Sequence, residues 1–256
     1  MHILVTNDDG VAHPGLLALV QGMRRLDNVK VTVLAPNRNW SASGHVKTLG
    51  RPLRVDKTQL ADGYPALATD GAPSDCVALA LLGVVPEPID LVVTGINPHA
   101  NIGDDVTYSG TVTSAMEAVI GGVPGLAFSL ETDRTIKEHD YSAAGEIAHR
   151  VAERVIKNGG LPKGLLLSTN IPYLPVDEIK GCRITRMGER IYQDELVVRD
   201  DPFGRPYYWI GGQHPTGEMV DGTDFATINE GYVSVTPIQL DMTAYDAIKD
   251  FKNWEW

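Results

Sequence analysis

A chain of 256 residues with 43% hydrophobic and 21% charged side chains has the length for one large globular domain and too ordinary a composition to be disordered, collagenous or a coiled coil. An excess of 33 acidic over 22 basic residues, net charge -11, argues against a nucleic-acid partner, whose phosphates must be neutralised along an extended basic surface. Cys76 and Cys182 form no C-x-x-C pair, so neither a disulfide framework nor a thiolate zinc site is expected. The start, Met1-His2-Ile3-Leu4-Val5-Thr6, has no basic leader before an apolar stretch, and the longest apolar run, 76–85, is about half of what spans a bilayer. The expectation is a cytoplasmic protein without a membrane partner.

In chain order, residues 3–6, 29–35 and 91–96 are apolar, β-branched runs without clean alternation, as parallel strands buried on both faces require. Helical patterns cover 14–26, 73–82 and 111–120, the first opening on Pro14, and a further strand is expected at 126–130. A helix over 141–157 and a strand over 165–170 follow. This alternation specifies an α/β fold, Rossmann-like and doubly wound on a mainly parallel sheet. Beyond about residue 180 the texture turns to Pro, Gly and aromatics. Residues 195–199 and 207–210 read as a hairpin around Asp200-Asp201-Pro202-Phe203-Gly204-Arg205-Pro206, followed by a strand at 232–236 and a closing helix at 244–252. The reading is a single domain, 1–256, with a core over 1–180 and a C-terminal hairpin, strand and helical tail over 181–256. Tyr207, Tyr208 and Trp209 in succession cannot all be buried by the hairpin itself, so a second copy of the chain is expected to cover them.

In an open parallel sheet, ligands bind beyond the carboxyl ends of the strands. The first strand runs into Asn7-Asp8-Asp9-Gly10, two adjacent carboxylates able to hold Mg²⁺ or Mn²⁺, although the same four residues also suit an ordinary turn. The loop after the second strand brings Ser41 and His45 toward the same rim. The strand at 91–96 runs into Asn97 and a polar loop through Asn101, after which Ser109-Gly110-Thr111 opens a helix. That helix start offers free N–H groups, hydroxyls and the positive end of the dipole to a phosphate, or is simply an N-cap. A carboxylate-held cation beside such a helix end is equipment for metal-assisted phosphoester hydrolysis. No G-x-G-x-x-G follows the first strand, and no G-x-x-x-x-G-K-[ST] or G-x-S-x-G occurs, which disfavours a dehydrogenase, a P-loop kinase and a serine esterase. A Mg²⁺-binding receiver-like signalling module is the rival; it requires a phosphorylatable Asp where this chain has Asn97.

Ordered along nearly the whole chain, Ile3-Leu4-Val5-Thr6-Asn7-Asp8-Asp9-Gly10, Ser41-Ala42-Ser43-Gly44-His45, Gly71-Ala72-Pro73-Ser74-Asp75, Gly95-Ile96-Asn97, Tyr108-Ser109-Gly110-Thr111-Val112, Gly204-Arg205-Pro206-Tyr207-Tyr208-Trp209 and Gly231-Tyr232-Val233-Ser234-Val235-Thr236-Pro237 resemble the survival protein SurE family of 5'/3'-nucleotidases. The resemblance implies one divalent metal ion per subunit, Mg²⁺ or Mn²⁺, on Asp8, Asp9, Ser41 and Asn97, and phosphate contacts from Asn101, Ser109, Gly110 and Thr111. It implies hydrolysis of nucleoside 5'- and 3'-monophosphates, and of short polyphosphate, in a homodimer or homotetramer built by the C-terminal segment. Attack by a metal-activated water, with Asp8 or Asp9 as its base and His45 as a candidate proton donor, fits those residues. Two places depart from the family pattern. Ala72 stands where Thr is usual, removing a hydroxyl, and Pro98-His99 lie between Asn97 and Asn101, where Pro98 has no N–H to donate.

Overall fold

The strand that opens the chain, β1 (His2–Thr6), is buried at all of its residues, as an apolar run without alternation specifies. In the computed structural model, which describes residues 1–132, 138–192, 194–212 and 216–256, β1 lies inside a nine-stranded sheet. The remaining strands of that sheet are β2 (Lys30–Pro36), β3 (Val55–Gln59), β4 (Pro65–Thr69), β5 (Leu91–Asn97), β6 (Gly125–Glu131), β7 (Leu165–Pro172), β8 (Cys182–Ile184) and, numbered in chain order, β13 (Val233–Gln239). Their spatial order is β3-β4-β2-β1-β5-β6-β7-β13-β8. From β4 through β7 every pairing is parallel, while β3 on β4 and β13 on β7 are antiparallel. The chain leaves β1 for β2 on one side and later returns to β5 on the other. The topological switch point therefore lies between the ends of β1 and β5, where a doubly wound sheet leaves a crevice.

Helices α1 (Pro14–Arg24) and α4 (Ser142–Lys157) pack together, as do α2 (Pro73–Leu79) and α3 (Gly110–Ile120). On α4 the buried residues Ala144, Ile147, Ala148, Val151, Ala152 and Val155 recur at helical spacing and join Leu16, Leu19 and Met23 of α1 in the main core. Leu34, Cys76, Val77, Val92 and Ala118 form a second cluster with α2. The doubly wound, mainly parallel α/β architecture is the one the alternation specifies.

The differences lie where apolar periodicity carries little signal. The β3–β4 pair is absent from the sequence reading because β3 is an edge strand of polar residues, Val55-Asp56-Lys57-Thr58-Gln59, mostly exposed. Helix α2 ends at Leu79, and a π-helical turn, Ala80–Val84, follows, with Gly83 at φ 112°. Strands β9 (Arg190–Ile191) and β12 (Thr216–Gly217) pair antiparallel with each other; like the six-residue α5 (Asp224–Asn229), they are too short for a period to show.

Past residue 180 the chain does two things. Strand β13 re-enters the main sheet between β7 and β8. Strands β10 (Asp194–Asp200) and β11 (Pro206–Gly212) form the expected hairpin as a separate two-stranded sheet, with Val197 opposite Trp209 and Val198 opposite Tyr208. Its turn is closed by Asp201, whose carboxylate accepts from the Phe203 and Arg205 amides. Trp209 is 64% and Ile210 85% exposed. The closing helix α6 (Tyr245–Phe251) has no buried residue, and Met242, Tyr245, Trp254 and Trp256 are exposed as well. No helix among the described residues is long and apolar enough to cross a membrane.

Candidate active site

The residues expected after β1 divide their work. Asn7 and Gly10 make the turn: the Asn7 amide donates to the Gly10 carbonyl at 3.0 Å and its oxygen accepts from the Gly10 N–H at 3.2 Å. The turn and the metal-site readings of this tetrapeptide are thus compatible, since closing it leaves Asp8 and Asp9 uncommitted. Asp8 is buried, and one of its oxygens accepts from the Thr111 hydroxyl at the start of α3. The Asp9 side chain is 3% exposed; Oδ1 accepts from Asn39 at 3.1 Å, while Oδ2 is buried with no hydrogen-bond partner.

Burial pushes both carboxyls above the usual carboxylate range, Asp8 against the Thr111 hydrogen bond, and Asp9, with the Asp8 charge adding to desolvation, to about 8. His13, with Nδ1 3.8 Å from Asp9 Oδ2, offers no compensating charge. Its Nδ1 accepts the Gly15 N–H at the start of α1, and burial lowers its pKa to about 4. Two adjacent buried carboxylates with one orphan oxygen, and no Lys or Arg paired to either among the described residues, fit a hard divalent cation.

Asn97 ends β5. A register shift between Thr94 and Asn97 and a φ of 125° at Gly95, where a Cβ would come within 2.3 Å of the Phe128 carbonyl, redirect the strand as it reaches the rim. The Asn97 NH₂ donates to the His99 carbonyl, leaving its oxygen for another partner. Ser41 is exposed in the loop after β2, which is tied to the rim by the Trp40 N–H on the Asp8 carbonyl at 2.7 Å and by the Gly44 N–H on Tyr108 at 2.9 Å. Asp8, Ser41, Asn97, Asn101 and Ser109 together line one cavity of about 230 Å³, with Pro98, His99, Tyr108, Glu131 and Thr132 also in its wall. The donor set is two carboxylates, a hydroxyl and an amide oxygen; no three His, Cys, Asp or Glu side chains come together as a metal cluster among the described residues.

At the helix start, Ser109 is the N-cap of α3, its oxygen accepting from the Val112 N–H at 3.1 Å, so the capping role is real. Its own O–H donates to no described residue, and Ser109 lines the cavity. A Cβ on Gly110 would meet the Asp8 Cβ at 2.7 Å, so glycine lets the helix end reach the acidic pair. Thr111 serves Asp8 rather than facing the cavity. Asn101 gives one amide hydrogen to Ser129 at 2.7 Å and is locked by reciprocal bonds with Asn170. His45 lies elsewhere: its Nε2 sits 2.9 Å from Glu117 of α3, which also holds Lys47 at 2.8 Å, and it does not line the cavity.

Of the two departures, Ala72 is fully buried as the N-cap of α2, where Asp75 accepts its N–H at 2.8 Å; the absent hydroxyl bears on a helix cap and not on the cavity. Pro98 and His99 do line the cavity, and Thr132 donates to the Pro98 carbonyl. Sequence reasoning missed Asp105, Arg190 and Tyr192, also in the wall. Lone residues in a turn-rich stretch carry no spacing signal. The receiver reading finds no support here, because the end of β5 beside the acidic pair is an amide, Asn97.

The family model described as survival protein SurE matches residues 3–194. A 5'-nucleotidase SurE of Chloroflexus aggregans is 49% identical over 256 residues, covering 100% of both chains. Its counterpart from Herpetosiphon aurantiacus is also 49% identical, over 100% of this chain and 99% of its own length. The crystal structure of the SurE protein from Aquifex aeolicus superposes with a TM-score of 0.82 at 37% identity, covering 98% of each chain. With the acidic pair, the Asn97 rim and the α3 start on one switch point and relatives matched end to end, the chain belongs to the survival protein SurE family.

Proposed function

We propose that the chain is a metal-dependent phosphomonoester hydrolase acting on nucleoside 5'- and 3'-monophosphates, and on short polyphosphate. The observation that carries the reading is the buried Asp8–Asp9 pair, with its orphan oxygen, packed against the N-terminus of α3. Relatives named as 5'-nucleotidases over their full length support the substrate class. One divalent ion per subunit, Mg²⁺ or Mn²⁺, is assigned to Asp8, Asp9, Ser41 and Asn97. Bound there, such an ion polarises a phosphoryl oxygen and lowers the pKa of water.

The protein's own groups do the rest. The Ser109 hydroxyl, the Gly110 amide and the second amide hydrogen of Asn101 bind phosphoryl oxygens at the positive end of α3. Thr111 contributes through Asp8, holding that carboxylate in place. The proton of the attacking water passes to Asp8 or Asp9. His45, strapped to Glu117, steadies the loop that carries Ser41.

The test is phosphate release from a panel of 5'- and 3'-nucleoside monophosphates, sugar phosphates and tripolyphosphate, with Mg²⁺, Mn²⁺ and chelator arms. Metal-dependent turnover is expected, with nucleotides above sugar phosphates. No release from any nucleotide with either metal would sink the reading.

Assembly as a dimer or tetramer through β10, β11 and the tail belongs to the same proposal, supported by the exposed Leu196, Tyr208, Trp209 and Ile210 on a hairpin that is a sheet of its own. Cytoplasmic location is part of it too, in keeping with two unpaired cysteines. Replacing residues 195–210 by a short Gly-Ser bridge is expected to give monomers in sedimentation velocity. A wild-type chain that is monomeric at micromolar concentration would count against the assembly.

A further inference from the structure

The wall of the cavity proposed to take the phosphate is rich in carboxylates. Asp8, Asp105 and Glu131 line the cavity, and Arg190 is the one Arg or Lys among the described residues in its wall. Arg190 opens β9, far in sequence from the acidic pair, yet its side chain is 5% exposed. Its position is built. Asp224, itself buried, accepts from the Gly103 N–H at 2.9 Å and the Gly188 N–H at 2.7 Å, clamping the loop that bears Asp105 to the loop that bears Arg190. Asp105 then faces the guanidinium, its Oδ2 3.1 Å from Nε, while its other oxygen accepts from the Tyr192 hydroxyl. That Nε contact is an ion pair without hydrogen-bond geometry, and Nε is buried with no hydrogen-bond partner among the described residues. A guanidinium in the cavity wall whose Nε lacks a hydrogen bond gains from an acceptor there, and two phosphoryl oxygens match its fork.

We propose that Arg190 is a phosphate-binding residue of this site, its two Nη groups taking two oxygens of the substrate's phosphoryl group, with Asp105, Tyr192 and Asp224 as positioning residues. The proposal rests on the phosphomonoesterase reading and adds to the metal ion a cationic side chain, the one Arg or Lys of the wall among the described residues. The phosphoryl charge is then shared between the α3 start and a guanidinium contributed by the C-terminal part of the chain.

The experiment compares wild-type, Arg190→Gln and Arg190→Lys full-length chains, Mn²⁺-loaded, with inorganic phosphate as the probe. Both variants are expected to weaken phosphate inhibition and lower kcat/KM by roughly 10-fold to 10²-fold, the effect of losing hydrogen bonds to a charged group. Lys should recover only part, because an ammonium cannot fork, and Mn²⁺ affinity by calorimetry should be unchanged. Variants that melt like wild type and are inhibited by phosphate equally well would overturn the assignment. If the variants do not melt cooperatively, a crystal structure of the wild-type chain with Mn²⁺ and orthovanadate decides: Nη atoms hydrogen-bonded to vanadate oxygens support the proposal, and a guanidinium making no contact with vanadate overturns it. Failure of the parent reading is separate: the wild type would release no phosphate from nucleotides, while phosphate binding and its dependence on Arg190 stay measurable by calorimetry.

Discussion

Asp9→Asn is expected to leave the fold intact and to lower metal-dependent turnover by a factor on the order of 10² or more, because one isosteric change removes a charge and a ligand oxygen from a hard-cation site. The same change should stabilise the metal-free chain at high pH. Folding raises the Asp9 carboxyl from 3.8 to about 8, by burial first and the Asp8 charge second. Between those values the folded chain keeps a proton that the unfolded chain has released. The stability of the wild type in chelator therefore falls as pH rises through that window and is lowest above it. Asparagine carries no such penalty, so at pH 9 in chelator the variant should melt above the wild type, whereas added Mn²⁺ should raise the wild-type Tm and barely move the variant. Differential scanning calorimetry with and without Mn²⁺ reads both effects. A variant with near-wild-type turnover at saturating metal would remove Asp9 from the metal site.

Gly110→Ala is the second large effect, and it separates geometry from helix propensity. Gly110 is the first residue of α3, where alanine would ordinarily stabilise the helix by up to about 1 kcal/mol. The added methyl, however, would sit 2.7 Å from the Asp8 Cβ and 2.9 Å from Asp8 Oδ2. Asp8 lies two residues past the end of β1, which is hydrogen-bonded between β2 and β5, and its Cβ is fixed to that backbone, so it cannot move aside as the tip of a flexible side chain would. The helix start and the carboxylate must separate. Overpacking of this kind costs about 1–3 kcal/mol, partly offset by propensity. Displacing a ligand and the oxyanion donors together should lower kcat/KM on the order of 10²-fold. Gly50→Ala is the control, since nothing lies within 4 Å of a Cβ there. Unchanged kcat/KM and Mn²⁺ affinity in Gly110→Ala, measured beside that control, would show that the close approach has no functional weight.

Much of this protein is legible without coordinates. Strands β1, β2, β5, β6 and β7 are buried on both faces and so read as continuous apolar runs, and α1, α3 and α4 carry helical stripes; hence the doubly wound class follows from residue order alone. The candidate site is legible for a related reason. In such a sheet the residues just past the strand ends face the crevice, so Asp8, Asp9 and Asn97 declare themselves by position. Hairpin β10–β11 is legible from its turn residues.

What only the tertiary structure decides is which groups meet across long separations, because periodicity is a local property and proximity is not. The sequence leaves Ser109 and Thr111 as either caps or phosphate ligands; in the structure Ser109 caps its own helix, and packing against the end of β1 turns Thr111 to Asp8. His45 follows a functional-looking loop, but Glu117, one helix away, captures it. Ala72 turns out to concern a helix cap, not the cavity. Arg190 carries no signal in a Gly- and aromatic-rich stretch, and it reaches the cavity because Asp224 joins two loops 85 residues apart, Gly103 and Gly188. A buried carboxylate accepting backbone N–H groups from two distant segments brings them together in a way that no local pattern encodes.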